Sequence, residues 1–565
     1  MASLPVPVLT QIFSFLSYFE QRHIVQLVCK TWQDASMDPL LWKDSLALIT
    51  MKLPGQLTGT EDTRPSFEED VEKLSYGLLE RGIVRLKFHK LSPREIILNL
   101  CTLAGHKVTH LSVSGCLYLG INDYTVLISD CPNLKSLDLS KCFEVGKFVN
   151  NESWKKDPSW TDSLRNLRHI NLGHTNLLLT LSYISFLSLL SEQCPGLESV
   201  GLAGLKATIE IEKMLLVTLQ LFKNIERLDI AYTEMGPSFQ QRLSDMFDLK
   251  SITLAQYGNS HNNDYSYLSR MPGLQKLSIH KIYEFSFWDF IRLIKVGQTH
   301  LEVLEIHSCP ELKSRKCHSQ QKLGASDANL ESSTLGYNPL QSIIELDLSN
   351  CNLCDEDVTI FCKHLHSVKS LNISGSLMTD KSMQNISNCL IFLRKLDISQ
   401  CYKLTDMAFS PPKYEDLSKE DVEISNLNML EWFSFNHCSK LTDNALKPLS
   451  DMKKLKYLSF QGCIKITIKG VMSLVENVNL LTGLNISYLS LDDFCIDNLV
   501  QKLPFLTSLN ISRISLVTGK ILYSILQYCK YLRYLNVSLC DNITEIEVRS
   551  FAKEYSKQLI ELESK

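Results

Sequence analysis

From about residue 83 onward, apolar residues recur in the pattern Leu-x-x-Leu-x-Leu-x-x-Cys/Asn/Thr. Clear copies are Leu134-Leu137-Leu139-Cys142, Leu301-Leu304-Ile306-Cys309, Leu393-Leu396-Ile398-Cys401, Leu455-Leu458-Phe460-Cys463 and Leu532-Leu535-Val537-Cys540. Weaker copies begin near Ile83, Val108, Leu167, Leu197, Ile225, Leu249, Leu274, Ile343, Val368, Leu430, Leu481 and Leu506, about 17 in all, mostly 24 to 30 residues apart. The second and third apolar positions alternate with polar ones, so each copy predicts a short strand with one buried face. Thr-Asp pairs after the strand (Thr379-Asp380, Thr405-Asp406, Thr442-Asp443) are placed to cap a return helix. One such unit leaves its sides exposed, so only a stack is stable, with parallel strands lining a concave surface. The segment 550–565, with Phe551, Tyr555, Leu559 and Leu562 at helical spacing, reads as a capping helix.

Three stretches break the period. Residues 143–163 carry Trp154-Lys155-Lys156-Asp157-Pro158, residues 313–339 are polar with Lys313, Arg315, Lys316 and Lys322, and residues 410–426 hold Pro411-Pro412 and an acidic run. Long loops in an array are either disordered or functional, and for 313–339 disorder is the favoured expectation.

Composition narrows the class. A chain of 565 residues exceeds one compact core. Its hydrophobic content of 44%, charged content of 21% and net charge of −4 are those of an ordered protein, with no support for nucleic-acid or polybasic membrane binding. The most apolar run, Leu177 to Leu190, is interrupted by Thr180, Ser182, Ser185 and Ser188, so no membrane span is expected. The N-terminus lacks the marks of a signal peptide, which predicts a cytoplasmic or nuclear location and reduced cysteines. Twelve of the 18 cysteines sit at two repeat positions, last in the motif or just before the next strand, and read as small buried hydrophobes. Sequons such as Asn372-Ile373-Ser374 fall at a repeated strand position and are read as structural.

Residues 4–42 differ from the repeats. Leu4-Pro5 opens the stretch. Val8, Ile12, Phe13 and Leu16 share a helical face, Val28-Cys29-Lys30-Thr31-Trp32 follows, and Asp38-Pro39-Leu40-Leu41-Trp42 closes it. A segment this short and apolar cannot hide its own surface; a solenoid cap and a docking module are the two readings. The order of these elements resembles an F-box, with Pro7 standing where that family usually carries an acidic residue. The repeats are similar to cysteine-containing leucine-rich repeats. The whole chain therefore resembles the F-box/leucine-rich-repeat family. The fold implied is α/β: a leucine-rich-repeat horseshoe preceded by a small all-α F-box. The expected divisions are an F-box at 1–45, a linker and junction helix at 46–82, the solenoid at 83–549 and the cap at 550–565. The resemblance implies a non-catalytic substrate receptor of a Skp–cullin–F-box ubiquitin ligase. Leu4, Pro5, Val8, Ile12, Phe13, Leu16, Val28, Trp32 and Trp42 would bind a Skp-type adaptor, and through it a cullin–RING scaffold.

No phosphate loop, nucleophile elbow or zincin motif appears, so neither an enzyme nor a cofactor is expected. Cys351-x-x-Cys354 with Cys362, His364 and His366 has ligand-like identities, but Cys351 is a repeat cysteine and Cys362 and His364 fall on the return helix; structural roles are favoured over a metal. An unidentified protein substrate would meet the residues between the buried strand positions. Trp432 and Tyr457, on adjacent strands, with Asn436, His437 and Gln461 nearby, are candidate anchors, as is Tyr534; packing against a loop or tail is the equal alternative. Arg227, Lys276, His280 and His307 form a candidate basic group for an acidic or phosphorylated motif, with a solvated face the favoured reading. An assembly scaffold without ubiquitin transfer is the rival function, and a small-molecule sensor a weaker third.

Overall fold

The computed structural model describes residues 46–49, 67–155, 158–175, 179–233, 239, 242–246, 249–255, 265–271, 273–282, 285, 300–312, 342–410, 424–478, 480–555 and 561–563. The nine adaptor-facing candidates between Leu4 and Trp42 lie outside them, as do the loop 313–339 and residues 411–423. The chain divides into two compact units, Met1–Leu274 and Gln275–Lys565.

In the first unit the described strands are β1 (Leu46–Ile49), β2 (Arg85–Phe88), β3 (His110–Ser112), β4 (Ser136–Asp138), β5 (His169–Asn171), β6 (Ser199–Gly201), β7 (Arg227–Ala231) and β8 (Ser251–Ala255). Each pairs in parallel with the next, in register, from Leu46 opposite Arg85 to Arg227 opposite Ser251. β1 falls in the stretch expected as linker: Leu46–Ile49 already forms a sheet strand, and the helix Phe67–Glu80 leads from it to β2.

The second unit contains β9 (Lys276–His280), β10 (Val303–His307), β11 (Glu345–Asp347), β12 (Ser370–Asn372), β13 (Lys395–Asp397), β14 (Trp432–Ser434), β15 (Tyr457–Ser459), β16 (Gly483–Asn485), β17 (Ser508–Asn510), β18 (Tyr534–Asn536) and β19 (Glu561–Glu563). These too pair in parallel in chain order. The helix Glu545–Tyr555 precedes β19, so the final segment adds a strand as well as a helix.

The α/β repeat architecture follows from the pattern. In the repeat containing β15, Leu455, Leu458, Phe460 and Cys463 are all fully buried, and the helix Ile468–Val475 returns Val471 and Leu474 to the same core. Phenylalanines continue this core between repeats, with Phe433 5.0 Å from Phe435 and Phe435 5.7 Å from Phe460. Where a strand ends in Asp or Asn, that side chain can close an Asx turn: Asp397, Asn485 and Asn536 accept the amide two residues on. The next residue but two then adopts the left-handed conformation, as at Gln400, Tyr488 and Leu539. The repeat cysteines do more than fill space. Cys142, Cys351, Cys463 and Cys540 donate their thiols to backbone carbonyls of the preceding repeat, at 3.0 to 3.2 Å.

The described part of the break at 143–163 is folded. Phe143–Asn150 forms a helix, and Trp154 and Trp160 fold inward against Phe186 of the helix Leu181–Gln193, at 5.6 and 6.2 Å. Their indole nitrogens donate to the Val149 and Trp154 carbonyls, so burial leaves no polar group stranded. Of the expected helix caps, Thr405 and Thr442 accept an amide of their own helix, whereas Thr379 does not.

Candidate functional site

The face of β13 to β18 opposite the helices brings the aromatic candidates together. Register places Lys395, Trp432, Tyr457, Gly483, Ser508 and Tyr534 in one row across six strands. The Trp432 and Tyr457 rings stack, centroids 5.3 Å apart and 3° from parallel. Both are half-buried. Gly483 leaves room for the Tyr457 ring, with which a β-carbon there would collide. Burial pushes the Tyr457 phenol up, against a hydrogen bond from Ser459 that lowers it. Tyr534, three strands from Tyr457, accepts a hydrogen bond from Asn536 at 3.2 Å and is not part of the stack.

Beside the stack, Asn436 is spent on structure. Its Oδ1 accepts the Ser459 hydroxyl at 2.6 Å and the Gln461 amide at 2.8 Å, and the Gln461 side chain in turn accepts from Asn485. His437 is a left-handed residue at φ 58°, and its ring reaches across Gly462 to Tyr488, 6.0 Å away. The Arg513 guanidinium lies 5.0 Å over the other ring of that pair, Tyr488. His437, Tyr488 and Arg513 thus form a rim beside the sheet. Post-strand residues enter the sequence-based expectation only next to Trp432 and Tyr457, which names His437 but not Tyr488, Arg513 or the two glycines.

The basic candidates have acidic neighbours. In the first unit Arg227 approaches Glu198 at 3.6 Å and donates to His169 Nδ1 at 3.3 Å. Burial first, then the Arg227 charge, lowers the His169 pKa, which favours the neutral ring. His169 and Arg227 line a hollow of about 380 Å³ together with Ser199, Gly201, Asp138 and Asp229. In the second unit Lys276 pairs with Glu305 at 2.7 Å. His280 and His307 stack at 4.7 Å, and His307 Nδ1 lies 2.6 Å from the Ser349 hydroxyl and 3.3 Å from Asp347. Burial raises the Glu305 pKa, but Lys276 and Ser278 outweigh it and hold the carboxyl below its usual range. Carboxylates that the repeat pattern treats as interchangeable polar positions thus face Arg227, Lys276 and His307.

Cys351, Cys354, Cys362, His364 and His366 do not converge. Cys351 donates to the Ile306 carbonyl, Cys354 caps the helix Asp355–His364, and Cys362 is buried within that helix with its thiol pushed up to about 12.

Residues 1–46 match the family model described as F-box-like. No curated protein matches the chain. Among solved structures it is similar to the yeast Rad7 and Elc1 complex, with 18% identity, 60% of this chain and 84% of that one covered, and a TM-score of 0.42. It is also similar to the internalin inlF of Listeria monocytogenes, with 17% identity, coverage of 83% and 93%, and a TM-score of 0.33. A third likeness is to the TLR13–ssRNA13 complex, with 17% identity, coverage of 80% and 60%, and a TM-score of 0.38. Likenesses this distant carry no functional argument. Among the described residues no helix is long and apolar enough to cross a membrane. The chain carries an F-box-like segment at residues 1–46 ahead of an array of leucine-rich repeats with parallel strands.

Proposed function

We propose that this chain is the substrate-recognition subunit of a Skp–cullin–F-box ubiquitin ligase. The observation that carries the reading is the F-box-like segment at residues 1–46 ahead of a self-sufficient repeat array. Large apolar side chains from Leu4 to Trp42 would enter a groove of a Skp-type adaptor, where such anchors dominate affinity. The chain would supply no chemistry: holding a protein near a charged ubiquitin-conjugating enzyme raises its effective concentration. The Trp432–Tyr457 stack is the proposed substrate anchor, because a preordered aromatic pair offers contact area at little further entropic cost.

Affinity capture under proteasome inhibition tests the substrate half, comparing the full chain, the chain lacking residues 1–44 and Trp432→Ala. Substrates are the proteins retained without residues 1–44 and lost with Trp432→Ala. If no retained protein changes abundance when the chain is depleted, the scaffold reading replaces this one.

A further inference from the structure

His280, Glu305 and His307 are two imidazoles and a carboxylate on adjacent strands, with one donor atom from each lying within 4.8 Å of the others. His280 and His307 are register partners across β9 and β10, and Glu305, two residues before His307, shares its face. The imidazole planes are 6° from parallel. We infer that these three residues form a binding site for a divalent transition metal, of which zinc is the best match to two nitrogens and one carboxylate oxygen.

The surroundings favour ligation over a simple ring stack. The Ser349 hydroxyl and the Asp347 carboxylate both address His307 Nδ1, at 2.6 and 3.3 Å, leaving Nε2 for the ion. A carboxylate behind a histidine ligand fixes the ring and raises its basicity. Ser278 holds the second oxygen of Glu305 at 2.6 Å while Lys276 sits on the first. Zinc–nitrogen bonds of about 2.0–2.1 Å require donor atoms about 3.3 Å apart, so on binding the two rings must turn out of their near-parallel stack until their in-plane lone pairs converge on the ion. Three protein ligands leave a fourth position for water or for a side chain of a bound protein.

Lys276 makes the inference specific. Its ammonium occupies the carboxylate that the ion would take, and its side chain is 42% exposed, so it can turn into solvent when displaced. The metal and the ammonium therefore compete for Glu305. Removing the lysine charge should strengthen metal binding, an effect that a purely structural role of these residues does not produce.

The test is a titration of the chelator-treated full-length protein with Zn²⁺ by calorimetry and with Co²⁺ by absorbance. One equivalent is expected to bind with the visible bands of nitrogen and oxygen ligation. Glu305→Gln and His307→Ala should weaken binding by at least about 100-fold, and Lys276→Met should tighten it several-fold. Glu305→Gln keeps the inference testable if His307→Ala does not fold, with circular dichroism as the control. Absence of binding, thiolate-to-cobalt charge-transfer bands, or an affinity indifferent to Glu305→Gln and Lys276→Met would each overturn it.

Discussion

Asp443 accepts two hydrogen bonds from Thr467, one from its amide and one from its hydroxyl, both at 2.6 Å. Asp443 opens the helix of one repeat and Thr467 caps the helix of the next. The same link joins Asp355 to Thr379, Asp380 to Thr405, Asp406 to Thr442 and Asp493 to Thr518. The aspartate is thus a clamp between repeats as well as an anion at its own helix N-terminus. Asp443→Ala should lower unfolding stability by about 1–3 kcal/mol, the usual worth of hydrogen bonds to a charged group, measured by urea denaturation. An unchanged midpoint would show that the clamp carries no stability.

Gly470 offers a test of opposite sign to ordinary helix propensity. Replacing a helical glycine with alanine normally gains about 1 kcal/mol. Here the added methyl would run into the Asp443 carboxylate and push it off Thr467. Gly470→Ala should therefore destabilise the chain; a rise in Tm would contradict the clamp geometry.

Acid should weaken one clamp in a defined direction. Burial pushes the Asp355 carboxyl up, but hydrogen bonds from Ser382 and from the amide and hydroxyl of Thr379 outweigh it and hold the group below the usual aspartate range. A carboxyl held down in the fold adds stability that is complete above its unfolded value, about 3.9, and is lost as pH falls through the lower folded value. Tm of the native chain should fall more steeply below about pH 4 than that of Asp355→Asn, which has no charge to lose. Parallel curves would remove Asp355 from the account.

Thiol chemistry should divide the cysteines by burial. Desolvation pushes Cys116, Cys194, Cys401, Cys463 and Cys529 up to about 12, so almost no thiolate is present at neutral pH. Cys354 and Cys389 are partly exposed. Cys389 occupies a repeat position expected to be buried, yet timed alkylation of the folded protein, read by peptide mass spectrometry, should label it and Cys354 well before Cys116, Cys194, Cys401, Cys463 and Cys529. Early labelling of Cys463 would show that the core opens around it.

Leu458 and Phe460 were legible as buried positions because inward-facing residues obey a two-residue period whatever their neighbours do, and Cys463 because it recurs as the last position of the motif. The Trp432–Tyr457 adjacency was legible for the same reason, since in-register parallel strands put equivalent positions side by side. Glu305 and Asp347 were not, because the period says that a position faces outward but not which partner on the next strand will meet it. Trp154 and Trp160 were misread as part of a loop: their burial comes from a contact with Phe186, more than 20 residues away, which no local pattern encodes. The Asp–Thr clamp was half visible. The Thr-Asp dipeptides signalled a helix start, but the longer-range bond from each aspartate to the following repeat needs the stacking geometry.

Residues 1–46 are proposed to dock a Skp-type adaptor while the repeats stand on their own. The most direct measurement is the affinity of the purified full-length chain for that adaptor, by calorimetry, beside the double substitution Ile12→Asp with Trp32→Ala. The account predicts a stable one-to-one complex that the double substitution abolishes, with the repeat array unfolding at an unchanged temperature. Equal binding by both proteins, or no binding by either, would contradict it.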